Sequence, residues 1–283
     1  MIGWLTEPFS LLFMQKALIA SVIVGVACSV LGCYVVLRSM AFLGDALAHA
    51  ILPGLAVAYL VGANLLGGAL VAGLVVAVGI SYVTRTGSIR EDTAIGIFFA
   101  GALALGVVLI STMHTYAVDL THVLFGNVLG VTTTDLWITG GLAFLVLAAI
   151  LVLYRQLLVV SFDPILARTL GLPAQALRTG LFLMLAVTIV IALQTVGVAL
   201  VAAMLVTPPA TAYLVTRRLP AMMAVSAAIG ILSAVGGLYA SYYLNIASGG
   251  AIVLVATAVF LIAFLFAPAR GVAWRLVRRS SQA

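Results

Sequence analysis

Charged residues are scarce in this chain. They make up 7% of its 283 residues, and lysine occurs once, as Lys16. Soluble globular proteins contain roughly 25% charged residues, which cover their water-facing surface. Hydrophobic residues account for 65% of this chain, and the mean hydropathy is +1.33. This balance excludes a soluble domain and predicts an all-α, polytopic membrane protein.

Cysteines and catalytic motifs are also few. Cys28 and Cys33 lie five residues apart in one apolar run, nearly on opposite faces of a helix, so we expect packing residues and no disulfide. The chain has no Gly-rich phosphate loop ending in Gly-Lys-Ser/Thr and no His-Glu-x-x-His helix. We therefore expect that the chain is not an enzyme.

Long apolar runs dominate the sequence. About 20 apolar residues are enough to cross a hydrocarbon core about 30 Å thick. Nine runs reach or approach this length: 16–37, 42–61, 64–84, 93–113, 135–154, 177–193, 196–215, 221–244 and 251–266. The count falls to eight if 177–215 is a broken or re-entrant hairpin. No polar stretch marks a soluble domain, so we expect residues 1–283 to form a single transmembrane domain.

The arginines predict the orientation of the chain. When nine spans are threaded alternately, all twelve arginines fall on one side of the membrane and Lys16 falls on the other. Basic residues favour the cytoplasmic side, which places the C-terminus in the cytoplasm and the N-terminus outside. The net charge of +6 then reflects anchoring at the lipid surface and needs no nucleic acid. Because the first run begins late and leads directly into a second span, we expect no cleavable signal peptide.

One apolar run contains two ionisable residues, Asp45 and His49. Residues four apart lie one above the other on the same face of a helix. An ionisable residue in a bilayer is costly and indicates a functional site. A carboxylate oxygen paired with an imidazole nitrogen suits Mn²⁺, Fe²⁺ or Zn²⁺. We predict that this pair ligates a metal ion in a cation path. Two donors are too few for a tight site, and a dimer with two-fold symmetry would contribute the same pair twice.

The segment 161–173, SFDPILARTLGLP, predicts a short helix outside the membrane. Asp163 suits the N-cap, Pro164 suits the first helical position, and Gly171 followed by Pro173 ends the element. Such a short helix is unstable in water unless it packs against something. Two interpretations remain open from the residues alone: the helix rests on lipid headgroups, or it docks on a cytoplasmic partner.

Smaller features predict local structure. Pro53, Pro208 and Pro209 lie within or beside spans and predict bends or hinges. The stretch 85–92 reads as a compact turn, in which we expect Asp92 to cap the next helix.

Four segments together resemble the permease subunit of the manganese, zinc and iron importers of the ATP-binding-cassette (ABC) class. They are MAFLGDALAHAILPG (40–54), IREDTAIGIFF (89–99), SFDPILARTLGLP (161–173) and VGVALVAAMLVTPPATA (196–212), in this order along nearly the whole chain. The resemblance implies the importer permease fold of the metal, vitamin B12 and siderophore type. It also implies a multi-pass protein of the bacterial cytoplasmic (inner) membrane that forms a dimer.

The resemblance also implies partners and residue roles. A separate cytoplasmic ATPase would drive transport, and an extracytoplasmic solute-binding protein would deliver the metal. Asp45 and His49 match the metal residues of the family's translocation path. Asp163, Ala167 and Gly171 match the coupling helix that docks in the ATPase, and we expect Ala167 to be small because the partner's surface comes close to it. Mn²⁺, Zn²⁺ or Fe²⁺ would be the transported substrate, with no permanently bound cofactor.

Other classes of function remain as alternatives. One is a permease for a vitamin or siderophore complex, and another is a secondary cation transporter in which Asp45 and His49 relay protons. A structural scaffold would leave this embedded pair unexplained. His114 and His122 are more simply interpreted as solvated loop residues than as entry ligands, so the predicted metal site does not include them.

Overall fold

A computed structural model describes residues 11–112 and 128–267 of the chain. In these two ranges the structure contains twelve α-helices and no strand, which confirms the predicted all-α fold. The helices, numbered in chain order, are α1 Leu12–Leu37, α2 Leu43–Ala50, α3 Leu52–Val61, α4 Leu65–Val83, α5 Glu91–Ser111, α6 Thr133–Val152, α7 Tyr154–Phe162, α8 Pro164–Thr169, α9 Ala174–Val196, α10 Val198–Val215, α11 Leu219–Leu244 and α12 Ser248–Phe266. His114, His122 and the four arginines after residue 267 lie outside the described residues.

The described helices include nine segments that are long and apolar enough to cross a membrane. Helices α2 and α3 together make one of them, Leu43–Val61. Helices α9 and α10 are two separate candidate spans that meet at Gly197. Nine spans therefore fit the described structure better than eight.

Helix α1 lies at the centre of the bundle. It packs against α6, α9, α10 and α11, and it has the largest buried share of the nine candidate spans. At Gly32 the backbone of α10 comes so close that a Cβ atom would collide with the carbonyl oxygen of Leu205. Small residues permit such close helix packing in lipid, where no hydrophobic force drives helices together. Helices α5 and α12 keep most of their surface exposed, as expected for lipid-facing spans.

Pro53 coincides with a break in the second span. Helix α2 ends at Ala50 and α3 begins at Leu52, with Pro53 in the first turn of α3. Proline has no N–H, so Pro53 cannot donate to the carbonyl of His49 four residues earlier. The helix is therefore interrupted beside Pro53, where the sequence predicts a bend or hinge. Pro208 and Pro209, in contrast, lie inside α10, which is assigned as one helix from Val198 to Val215.

Several arginines meet at one end of the bundle, which we call the arginine end. Arg38, after the end of α1, and Arg178, in the second turn of α9, both pair with Glu91 at the start of α5. Arg217 and Arg218 line a cavity of about 360 Å³ together with the last residues of α1 and α7. These contacts agree with the one-sided distribution of arginine predicted from the sequence.

Candidate metal path and coupling helix

Asp45 and His49 lie on the one open face of α2. Their side chains are 43% and 27% exposed, respectively. The other residues of this helix are buried, packed against α4, α5, α9 and α10. Because α2 is otherwise enclosed, the pair forms a polar patch on the surface of a single chain.

The two side chains are close enough to share one ion. His49 Nε2 lies 3.6 Å from Asp45 Oδ1, which is longer than a hydrogen bond. For an ion about 2.1 Å from both atoms, the angle Nε2–ion–Oδ1 would be about 120°, near the tetrahedral value. Within the described ranges no group of three or more His, Cys, Asp or Glu side chains could hold a metal. The structure therefore brings together two donors per chain, as the sequence predicted.

Two phenylalanines stand beside the pair. The ring of Phe99, on α5, lies edge to face with the imidazole of His49, with 5.9 Å between ring centroids and 63° between planes. Phe99 also meets Phe42 edge to face at 5.4 Å. Phe42 precedes Asp45 by three residues and is 49% exposed. Sequence reasoning missed Phe99 as a neighbour of His49, although it is the last residue of the 89–99 motif.

Glu91 joins three helices at the arginine end. Its Oε1 atom accepts from Arg38 Nη2 at 2.7 Å and lies 2.9 Å from Arg178 Nε. The three side chains are 9–23% exposed. The expected cap at Asp92 is wrong: α5 begins at Glu91, so Asp92 lies inside the first turn, and the N-cap residue is Arg90. Glu91 instead pairs with two arginines that are distant in the sequence. Spacing along the chain does not reveal such pairs.

The start of α9 is also tied to α4. The Gln175 side chain donates to the carbonyl of Ser81 at 3.0 Å and to its hydroxyl at 3.1 Å. The hydroxyls of Ser81 and Thr179 share a further hydrogen bond of 2.6 Å. Because α9 follows α8 in the chain, these bonds and the Arg178 pair anchor the segment that carries the short helix.

Helix α8 forms as its sequence predicts. The Asp163 carboxylate accepts from the backbone N–H groups of Ile165 and Leu166 at 2.9 and 3.0 Å, which satisfies two orphan donors of the first turn. Gly171 has a φ of +72°, the left-handed conformation that glycine adopts without strain. Leu172 N–H closes the turn on the carbonyl of Ala167 at 3.0 Å. The cap and the terminating glycine are confirmed.

Ala167 is buried within its own chain. It is 0% exposed, enclosed by the rest of the chain, so its small size serves internal packing. The exposed apolar surface of the loop is carried by its neighbours Ile165, Leu166 and Leu170, at 75%, 47% and 60%. The expectation that Ala167 touches the partner directly is therefore corrected, because the face that it occupies is already filled.

The chain matches the ABC 3 transport family over residues 10–267. It belongs to that family. It is 49% identical to the manganese transport system membrane protein MntC of Halalkalibacterium halodurans, over 94% of this chain and 91% of that protein. It is 38% identical to the chelated iron transport system membrane protein YfeD of Yersinia pestis, over 93% of this chain and 88% of that protein.

A solved structure of the family agrees with the fold. The chain aligns with PsaBC from Streptococcus pneumoniae, determined in complex with Fab, at a TM-score of 0.84 and 40% identity. The alignment covers 99% of this chain and 100% of that one. The family's permease architecture thus extends over the whole helical bundle described above.

Proposed function

We propose that this chain is the permease subunit of an ATP-driven importer for divalent transition metal ions. The observation that supports this proposal most strongly is the Asp45–His49 pair, two metal donors 3.6 Å apart on the open face of a candidate span. The relatives support this proposal because their names refer to manganese and to iron transport. Manganese and iron are therefore the favoured substrates, and zinc rests on donor chemistry alone.

The path forms between two copies of the chain. Each copy presents Asp45 and His49 on its surface, so a two-fold axis beside α2 brings up to four donors to one ion. A site of this kind binds loosely compared with a structural metal site. Weak binding suits a path, because an ion that enters must also leave.

The arginine end faces the cytoplasm and the ATPase. Positive residues concentrate there, which also places the C-terminus in the cytoplasm. Helix α8 offers Ile165, Leu166 and Leu170 as the apolar surface that docks on the ATPase, held in place by Asp163 and Gly171. ATP is hydrolysed by that separate subunit. The opposite end receives metal from the solute-binding protein outside the cell.

The test is transport by the assembled complex. The permease is reconstituted in vesicles with the ATPase and the solute-binding protein, and uptake of radioactive ⁵⁴Mn²⁺ and ⁵⁵Fe²⁺ is followed with and without ATP. ATP-dependent uptake of free ions supports the proposal. Uptake of a metal only as its siderophore or vitamin complex would move the chain to the alternative permease class. Uptake driven by a pH gradient without ATP would instead show a secondary transporter.

A further inference from the structure

The ring of Phe99 lies beside His49, the histidine of the candidate metal pair. It stands edge to face with the imidazole, with 5.9 Å between ring centroids, and edge to face with the ring of Phe42 at 5.4 Å. Phe42, Asp45 and His49 follow one another at spacings of three and four residues, so they share one stripe of α2. Phe99 is thus a residue of α5 that meets two members of the stripe carrying the metal donors, Phe42 and His49.

The position of Phe99 is fixed by its own helix. Glu91, Ile95 and Phe99 are four residues apart and lie on one face of α5. Glu91 is held by Arg38 and Arg178, and Ile95 is 1% exposed. An ion pair and a buried contact therefore hold the two turns that precede Phe99. A residue that orients a neighbouring group must itself be held rigidly. These two contacts hold the helix that carries the Phe99 ring.

A fixed ring beside His49 has two physical effects. Edge-to-face packing restricts rotation of the imidazole and so favours the orientation in which Nε2 points toward Asp45. The apolar ring also provides no hydrogen-bonding group to replace a water that an ion brings with it. An ion bound to His49 would therefore lose waters where it approaches the Phe99 ring, without a protein group to replace them there. Mg²⁺ dehydrates reluctantly, and it prefers oxygen to nitrogen donors.

We propose that Phe99 is a positioning residue of the metal path, which holds His49 toward Asp45 and disfavours hydrated Mg²⁺. The inference rests on the proposed function above. It deepens that function by naming a residue that sets selectivity without ligating the ion.

The test compares Phe99 variants in the reconstituted importer. In Phe99→Ala and Phe99→Leu, the KM for Mn²⁺ rises about tenfold, the lower end of the loss typical for residues that orient metal ligands. In the same variants, millimolar Mg²⁺ inhibits Mn²⁺ uptake more strongly than in the wild type. Phe99→Tyr keeps the ring and retains a KM near that of the wild type. The Leu variant keeps a large apolar side chain without the ring, so a loss that is similar in Leu and Ala points to the ring and not to the size of the space left in the bundle.

Phe98 provides the matched control. It is the neighbouring phenylalanine on α5, but its ring packs against Gly79 of α4. Phe98→Leu is expected to leave both the KM and the Mg²⁺ inhibition unchanged. If Phe99→Leu assembles normally and keeps the wild-type KM and Mg²⁺ inhibition, or if Phe98→Leu shows the same changes, the positioning role is wrong. A wild-type complex that takes up no Mn²⁺ would instead overturn the proposed function, so the two failures are distinguishable.

Discussion

At the scale of single residues, the most informative side chains are those that are only half buried. Asp45 and His49 stand out because every other residue of α2 is buried. Their spacing and apolar surroundings identified them from the sequence alone. Phe99 and Glu91 could not be identified in that way, because their partners lie 50 or more residues away in the chain. Glu91 pairs with Arg38 and Arg178, and Phe99 packs against Phe42 and His49. Periodicity shows which residues share a helix face, but it does not show which helix that face meets.

The first prediction concerns pH and His49. An imidazole binds a metal through a nitrogen lone pair, so a proton and a metal ion compete for it. We expect Mn²⁺ uptake to fall severalfold as the pH is lowered from about 7.5 to about 5.5, because the rising proton concentration favours the proton in this competition. The measurement is initial uptake by reconstituted vesicles, with the solute-binding protein shown to remain loaded at each pH. Uptake that does not change over this range would argue against His49 as a ligand.

At the scale of helices, the arginine end combines a predicted element with an unpredicted one. The bounds of α8 followed from Asp163 and Gly171, because caps are local and depend on nearby residues only. The burial of Ala167 did not follow from the sequence, because it depends on how the loop packs against the rest of the chain. The three-way contact at Glu91 likewise depends on the packing of α1, α5 and α9.

The second prediction concerns Glu91. Glu91→Gln removes the negative charge between two largely buried arginines, which then repel each other without compensation. We expect the melting temperature of the detergent-solubilised protein to fall by roughly 5 °C. Asp92→Asn is the matched control, because Asp92 is an exposed acid in the same turn of α5. Equal melting temperatures for Glu91→Gln and Asp92→Asn would show that the contact adds no stability.

The third prediction concerns docking of α8. Ile165→Asp places a charge on its most exposed apolar side chain, and Gly171→Val forces a β-branched residue into a left-handed turn. Both variants should insert in the membrane but fail to retain the ATPase in a pull-down, with loss of uptake. The control is Val61→Asp. Val61 is also 75% exposed, but it is the last residue of α3 and of the span Leu43–Val61, which begins at the arginine end. If both loop variants hold the ATPase at the wild-type level, the alternative of a helix resting on lipid headgroups becomes the better interpretation.

At the scale of the whole molecule, most of the architecture could be predicted from composition. Nine apolar runs gave nine candidate spans among the described residues, with ends that differ by a few residues. Three features concern parts beyond the single chain: the two-fold partner, the ATPase and the membrane orientation. These three remain proposals, supported by the open face of α2, the exposed loop at α8 and the clustered arginines.

We propose that Asp45 and His49 bind the metal on its way through the membrane. The most direct measurement is ⁵⁴Mn²⁺ uptake by the reconstituted importer with Asp45→Asn or His49→Ala, alongside the ATPase content and basal ATP hydrolysis of each complex. Both changes remove a donor on an open face of α2, so the fold should persist. We expect uptake to fall to the background of vesicles without ATP, while assembly and basal hydrolysis remain at the wild-type level. Uptake at the wild-type rate by either variant would contradict this proposal.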